Sequence, residues 1–174
     1  MKKVEKILAA LALIGLVMKF LLIPGHGLLL VFPLCFLSII YFFLGFALFN
    51  DIPLRKMFKK ESYQAISSAK LIGTIGLGFS FSELTFGMLF KIQNYPGSTT
   101  QLIGGLFFTI IILIIALVQY GKNKAAFYKS IFFRISIIGS LGLITLLTPK
   151  DWLMKVTHRD DPEYIEQMTT DNDC

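Results

Sequence analysis

Residues 102–120 read LIGGLFFTIIILIIALVQY, a predominantly apolar stretch that contains no charged side chain. The hydrocarbon core of a bilayer is about 30 Å thick, and a helix needs roughly 20 apolar residues to cross it. Because unpaired backbone groups are costly in lipid, such a stretch is helical there. The sequence therefore predicts a membrane-spanning helix at this position.

The rest of the chain has the same character. Of its 174 residues, 55% are hydrophobic and only 16% are charged, whereas a soluble domain has about 25% charged residues. Hydropathy predicts about five spans, at 7–23, 28–49, 71–90, 102–120 and 130–147. The basic start and first apolar run imitate a signal peptide. No small-residue cleavage site follows, so this segment is predicted to be retained as the first span.

Short connections separate these spans. Pro24-Gly25-His26-Gly27 lies between the first and second, and Tyr95-Pro96-Gly97-Ser98 lies between the third and fourth. Proline ends a helix and glycine takes the positive φ that a reversal needs, so both are predicted to be tight turns.

The predicted architecture is an all-α, polytopic transmembrane helical bundle. Its parts are a first hairpin (1–50), a basic amphipathic segment (51–70), a second hairpin (71–120), a turn with the fifth span (121–148) and an acidic polar tail (149–174).

Charge is distributed unevenly along the chain. Residues 1–148 hold 14 Lys or Arg against 4 Asp or Glu, and residues 149–174 hold 3 against 7. Basic residues are enriched on the cytoplasmic side of membrane spans. We therefore predict a multi-pass protein of the bacterial inner membrane with a cytoplasmic amino terminus, outer Pro-Gly turns and an outer tail. If the fifth segment re-enters without crossing, only the tail changes sides. No nucleic-acid-binding motif is present.

Two polar segments have their own predictions. In residues 53–66 apolar side chains recur near helical spacing, and basic side chains take the other side of the predicted helix. Two interpretations are open. One is a short amphipathic helix on an anionic membrane surface, and the other is a solvated basic loop. Residues from Asp160 onward have few apolar side chains and no helical periodicity, which predicts extended or poorly ordered chain.

An internal repeat relates the first two hairpins. Residues 15–25, GLVMKFLLIPG, align without gaps to residues 87–97, GMLFKIQNYPG. Each copy therefore closes one helix and opens a hairpin. With two spans per copy, both hairpins have the same orientation, which predicts two parallel hairpin repeats plus one helix. The matched positions of the motif are Gly15 and Gly87, Lys19 and Lys91, Pro24 and Pro96, and Gly25 and Gly97.

The second copy, Gly87-Met88-Leu89-Phe90-Lys91-Ile92 with Pro96-Gly97, resembles the end of the first span in the GldL family. Members are membrane subunits of the Bacteroidota gliding and type IX secretion motor. The resemblance covers residues 70–118 and, more faintly, the first hairpin, and it implies a two-span hairpin of a motor energised by proton flow. The family places a functional acidic residue in the membrane. Residues 102–118 contain none, so the motor role is not carried over to any residue here.

Glu83 lies inside the third predicted span, where a carboxylate costs about 2.5 kcal/mol or more. Gly76, Ser80, Glu83 and Gly87 have helical spacing and are predicted to share one face. Small residues on that face allow close helix packing. Two roles for Glu83 are open: a structural ion pair or hydrogen-bonded neutral group, and an ion- or proton-handling group.

Lys19 is the predicted partner of Glu83. Each lies about 18 Å along its helix from the predicted cytoplasmic end. A desolvated Lys–Glu pair keeps both groups charged, so the two side chains are expected to meet. Lys91 and Arg134 lie nearer the ends of their spans and are predicted to snorkel to the interface.

No catalytic motif is present, and Cys35, Cys174 and His26 belong to no ligand cluster. We predict no enzymatic activity, no cofactor and no metal. The predicted function is a non-enzymatic integral inner-membrane subunit of an envelope complex. It contacts membrane lipid and packs through small-residue helix faces against itself or other membrane subunits. The alternative is a proton- or ion-coupled channel, transporter or motor component that uses Glu83 and Lys19.

Overall fold

The computed structural model describes residues 1–64, 66–122, 125–159 and 161. The regular elements in these residues are all helical, which confirms the predicted all-α class. The six α-helices are α1 (Lys2–Phe20), α2 (His26–Phe49), α3 (Ser68–Ile92), α4 (Ser98–Lys122), α5 (Ala126–Leu147) and α6 (Lys150–Thr157).

Four helices, α2 to α5, are long and apolar enough to cross a bilayer. They are compatible with an integral membrane protein, as the composition predicted. The first predicted span, 7–23, corresponds to α1, which ends at Phe20. This helix does not belong to the same group because it carries five charged residues, Lys2, Lys3, Glu5, Lys6 and Lys19.

Helix α3 forms the centre of the bundle and packs against α2, α4 and α5. Leu77, Phe81 and Leu84 of α3 are fully buried. In a membrane, an apolar side chain gains little hydrophobic free energy by moving from lipid to a helix–helix contact, because both surroundings are apolar. Close van der Waals contact therefore holds such helices together. At the α2–α3 crossing a Cβ added to Gly45 would lie 2.7 Å from the Gly78 Cα atom. These two glycines therefore allow the backbones to touch.

The connection between α2 and α3 is not the short amphipathic helix that was one of two interpretations. It contains two 3-10 turns, Leu54–Lys56 and Lys60–Tyr63. Ser62 Oγ donates to the Lys56 carbonyl oxygen at 2.8 Å, and the Tyr63 hydroxyl donates to the Met57 carbonyl oxygen. These two bonds connect the two 3-10 turns, so the segment forms a folded loop.

Helix α6 was not predicted from the sequence. Pro149 is its N-cap residue, a position where the missing backbone N–H of proline leaves no intrahelical hydrogen bond unmade. Leu153 and Met154 are buried, while Trp152 is 53% exposed. Because this short helix lies within an otherwise polar tail, its apolar stripe does not extend far enough to show a clear periodicity. The predicted extended chain from Asp160 onward lies outside the described residues except for Asp161.

Candidate functional site

Glu83 lies on the outward-facing side of α3. Ile72, Ile75 and Phe79 mark this side, with exposed fractions of 69%, 51% and 36%. At the usual turn per residue, Glu83 falls within the same arc of the helix. Its neighbour Leu84 is fully buried on the opposite arc. Glu83 is therefore a partly exposed carboxylate, less than one turn past the midpoint of a helix that is long enough to span a membrane.

Within the described residues, no cation or hydrogen-bond donor contacts the Glu83 carboxylate. The expected contact with Lys19 is absent. Equal distances from the helix starts do not bring the two side chains together, because α1 and α3 meet at their carboxyl ends. Lys19 directly precedes the last residue of α1, whereas Glu83 lies more than two turns before the end of α3.

Lys19 and Lys91 instead bind the carboxyl ends of other helices. Lys19 Nζ donates to the Ile92 carbonyl oxygen and to Gln93 Oε1, both at 2.7 Å. Lys91 Nζ donates to the Leu146 carbonyl oxygen at 2.8 Å. The final carbonyls of a helix lack partners within it, and a cation there also interacts favourably with the helix dipole. Lys91 is 4% exposed, so the prediction that it snorkels outward is wrong.

The α1–α2 and α3–α4 turns have the same backbone geometry at matching positions of the sequence repeat. Leu22 and Asn94 have φ values of 56° and 59°, and Gly25 and Gly97 have φ values of 87° and 79°. The Leu22 and Asn94 amides donate to the carbonyls of Lys19 and Lys91, at 3.1 and 3.2 Å. Together with the following 6→1 bonds, these contacts form a Schellman motif at each helix end. Similar sequence therefore accompanies the same chain reversal.

The predicted small-residue face of α3 lies against α4. A Cβ added to Gly76 would lie 3.2 Å from Ile112 Cδ1, and one added to Gly87 would lie 2.9 Å from Leu102 Cγ. Ser80 is fully buried and donates to the Gly76 carbonyl oxygen at 2.9 Å. These three residues thus serve packing inside the chain, while Glu83 lies at the outer edge of the same face.

A buried polar network was missed by the sequence analysis. Glu5 of α1 forms an ion pair with Arg134 of α5, and the Tyr41 hydroxyl donates to Glu5 Oε1 at 3.0 Å. The side chains of Arg134 and Glu5 are only 15% and 11% exposed. The Arg134 guanidinium also lies 5.4 Å from the centre of the Phe49 ring. The prediction that Arg134 snorkels is therefore wrong, because it has a charged partner inside the bundle.

One signal could have revealed this pair. Glu5 lies just before the first apolar run, and Arg134 lies about one turn into the fifth. Both lie near the helix starts that share one end of the bundle, so their depths match. In the sequence, the three lysines of residues 1–6 mark a basic flank, and nothing local assigns a role to the carboxylate among them.

No group of three potential ligands that could hold a metal ion occurs in the described part of the chain. His26 Nδ1 donates to the Ile23 carbonyl oxygen at 2.9 Å, and the Cys35 thiol is free. Comparisons with protein-family models, with characterised proteins and with solved structures found no match for this chain. The resemblance of residues 70–118 to the GldL family stays a prediction.

Proposed function

We propose that this chain is a non-enzymatic integral subunit of a complex in the bacterial inner membrane. In this proposal the outward face of α3 around Glu83 docks against a helix of another membrane subunit. The resemblance of the second hairpin to a motor subunit family fits a role as one component of a larger assembly. The carrying observation is the carboxylate of Glu83, which has no partner among the described residues.

Glu83 supports the proposal because a carboxylate within a membrane span is energetically unfavourable. A polar side chain near the middle of a membrane span is unfavourable unless it faces a protein surface or a hydrated path. Lys19 and Lys91 do not relieve this cost, since both bind carbonyls at one end of the bundle. A partner helix that carries a hydrogen-bond donor or cation at the depth of Glu83 would do so.

The proposed topology has five spans, with α1 as the first. Helix α1, Lys2–Phe20, packs along α2 and is about as long as the hydrocarbon core is thick. Its lysines lie at its two ends, where they can reach an interface or a buried acceptor. Basic residues at the starts of α1, α3 and α5 support a cytoplasmic amino terminus by the positive-inside rule. The Pro-Gly turns and α6 then lie on the far side.

A parallel duplication of the first two hairpins is part of the same proposal. The identical spacing of turn residues supports it, and so does the helix contact beside each turn. A Cβ added to Gly15 would lie 2.7 Å from the Leu30 backbone nitrogen, and one added to Gly87 would lie 3.1 Å from that of Leu102. Leu30 and Leu102 also occupy equivalent positions when the two copies are aligned.

The test is co-purification in mild detergent from the native membrane, followed by mass spectrometry of the copurifying proteins. Glu83→Leu is expected to release a subunit that copurifies with the wild-type chain, because it removes the carboxylate that the partner would contact. Ser136→Ala is the matched control, since Ser136 is exposed near the middle of α5. Equal recovery of all partners with Glu83→Leu would refute the docking role.

The alternative is a proton- or ion-coupled component in which Glu83 titrates. An unpaired carboxylate favours this role as well, because no cation in the described residues contacts it. Glu83→Gln separates the two functions, since glutamine keeps the hydrogen-bonding capacity but cannot exchange a proton. An intact complex that has lost proton-dependent activity would establish the alternative.

A further inference from the structure

A broad groove lies at the end of the bundle where α1 begins and α2 ends. Its volume is about 560 Å³. One wall is the start of α1 and the other is the chain that leaves α2. The residues that matter for its chemistry are Met1, Lys2, Lys3, Asp51, Leu54 and Arg55.

The charge of this groove is mostly positive. Lys2 is engaged by Asp51, with 2.5 Å between Lys2 Nζ and Asp51 Oδ1. Lys3 and Arg55 are both exposed, and neither has an ion-pair partner in the described ranges of the chain. Each therefore keeps a charge available for an external anion.

The groove also lies at the right depth for a lipid headgroup. Helix α2, an apolar candidate span, ends at Phe49, so Asp51 and Arg55 follow directly after the hydrocarbon region. In the same loop, the side chains of Leu54 and Phe58 are 52% and 91% exposed. Apolar side chains next to basic ones are typical of segments that contact an anionic membrane surface.

We propose that this groove binds the phosphate headgroup of an anionic phospholipid in the adjacent leaflet. Lys3 and Arg55 contact the phosphate, with Arg55 able to donate two parallel hydrogen bonds. Leu54 and Phe58 extend into the acyl region beside the bound lipid. The proposal rests on the chain being a membrane protein and does not depend on the docking role of Glu83.

The test uses the purified full chain in a neutral detergent, with thermal unfolding and native mass spectrometry as readouts. Phosphatidylglycerol is expected to raise Tm and to remain bound in the mass spectrum, whereas phosphatidylcholine does neither. The double variant Lys3→Gln, Arg55→Gln should bind phosphatidylglycerol about 30-fold more weakly, from the usual contribution of a basic side chain at a membrane surface taken twice. Both side chains are exposed and unpaired, so the variant should fold.

Two controls complete the design. Lys122→Gln, Lys129→Gln removes the same charge from exposed positions outside the groove and should bind the lipid like the wild type. The charge-preserving variant Lys3→Arg, Arg55→Lys should also retain binding.

Equal weakening in the Lys122, Lys129 variant would indicate a diffuse charge effect and overturn the site. A Tm rise with inorganic phosphate equal to that with phosphatidylglycerol would overturn the lipid in favour of a free anion. Neither outcome bears on the partners that copurify through Glu83.

Discussion

Glu5 and Glu83 are two carboxylates in apolar helices, and the chain treats them in opposite ways. Glu5 is buried, paired with Arg134 and hydrogen-bonded by Tyr41. Glu83 is partly exposed on the outward face of α3 and has no partner in the described residues. The difference separates a carboxylate that links α1, α2 and α5 from one that, in our proposal, contacts another membrane subunit.

The largest expected effect is at the paired carboxylate. Arg134→Met should destabilise the chain in detergent by about 3–5 kcal/mol, because it leaves Glu5 as a buried charge without its cation. Thermal unfolding measures the loss, with Lys129→Met, at an exposed position of the same helix, as the control. Adding Glu5→Gln should recover part of the stability. A double variant as unstable as the sum of its parts would mean that the pair contributes nothing as a pair.

An intermediate effect is expected at Lys19, which the sequence analysis paired with Glu83. Its side chain donates to the Ile92 carbonyl and to the Gln93 side chain. Lys19→Met should cost about 1–3 kcal/mol, since it leaves both acceptors without a donor. Lys6→Met, on an exposed part of α1, is the matched control. The effects of Lys19→Met and Glu83→Gln should simply add within about 0.5 kcal/mol. Strong coupling between the two substitutions would support the predicted Lys19–Glu83 contact and contradict the observed contacts of Lys19.

The smallest effect is expected at Glu83 itself. Glu83→Gln should change the stability of the isolated chain by less than about 0.5 kcal/mol, because no ion pair or side-chain hydrogen bond to a described residue is lost. The measurement is the shift in Tm of the purified chain in detergent, beside Arg134→Met under the same conditions. A loss of stability comparable to that of Arg134→Met would show that Glu83 has a structural partner within the chain. The two carboxylates would then have the same kind of role.

The sequence by itself determined the helical class, four of the five predicted candidate spans and the two turns. These properties are local: apolar length, the restriction imposed by proline and the conformational freedom of glycine act over a few residues. Hydropathy therefore located Ser98–Lys122 within a few residues, and the Pro-Gly pairs located both reversals.

Only the tertiary structure decided which polar groups meet. Lys19, Lys91 and Arg134 were each assigned from their depth in a single helix, but a partner also depends on rotation about the helix axis and on the relative sliding of helices. Both are set by close contacts such as Gly45 with Gly78, which no periodicity within one helix encodes. For the same reason, the pairing of Glu5 and the outward orientation of Glu83 emerged only once the helices had packed.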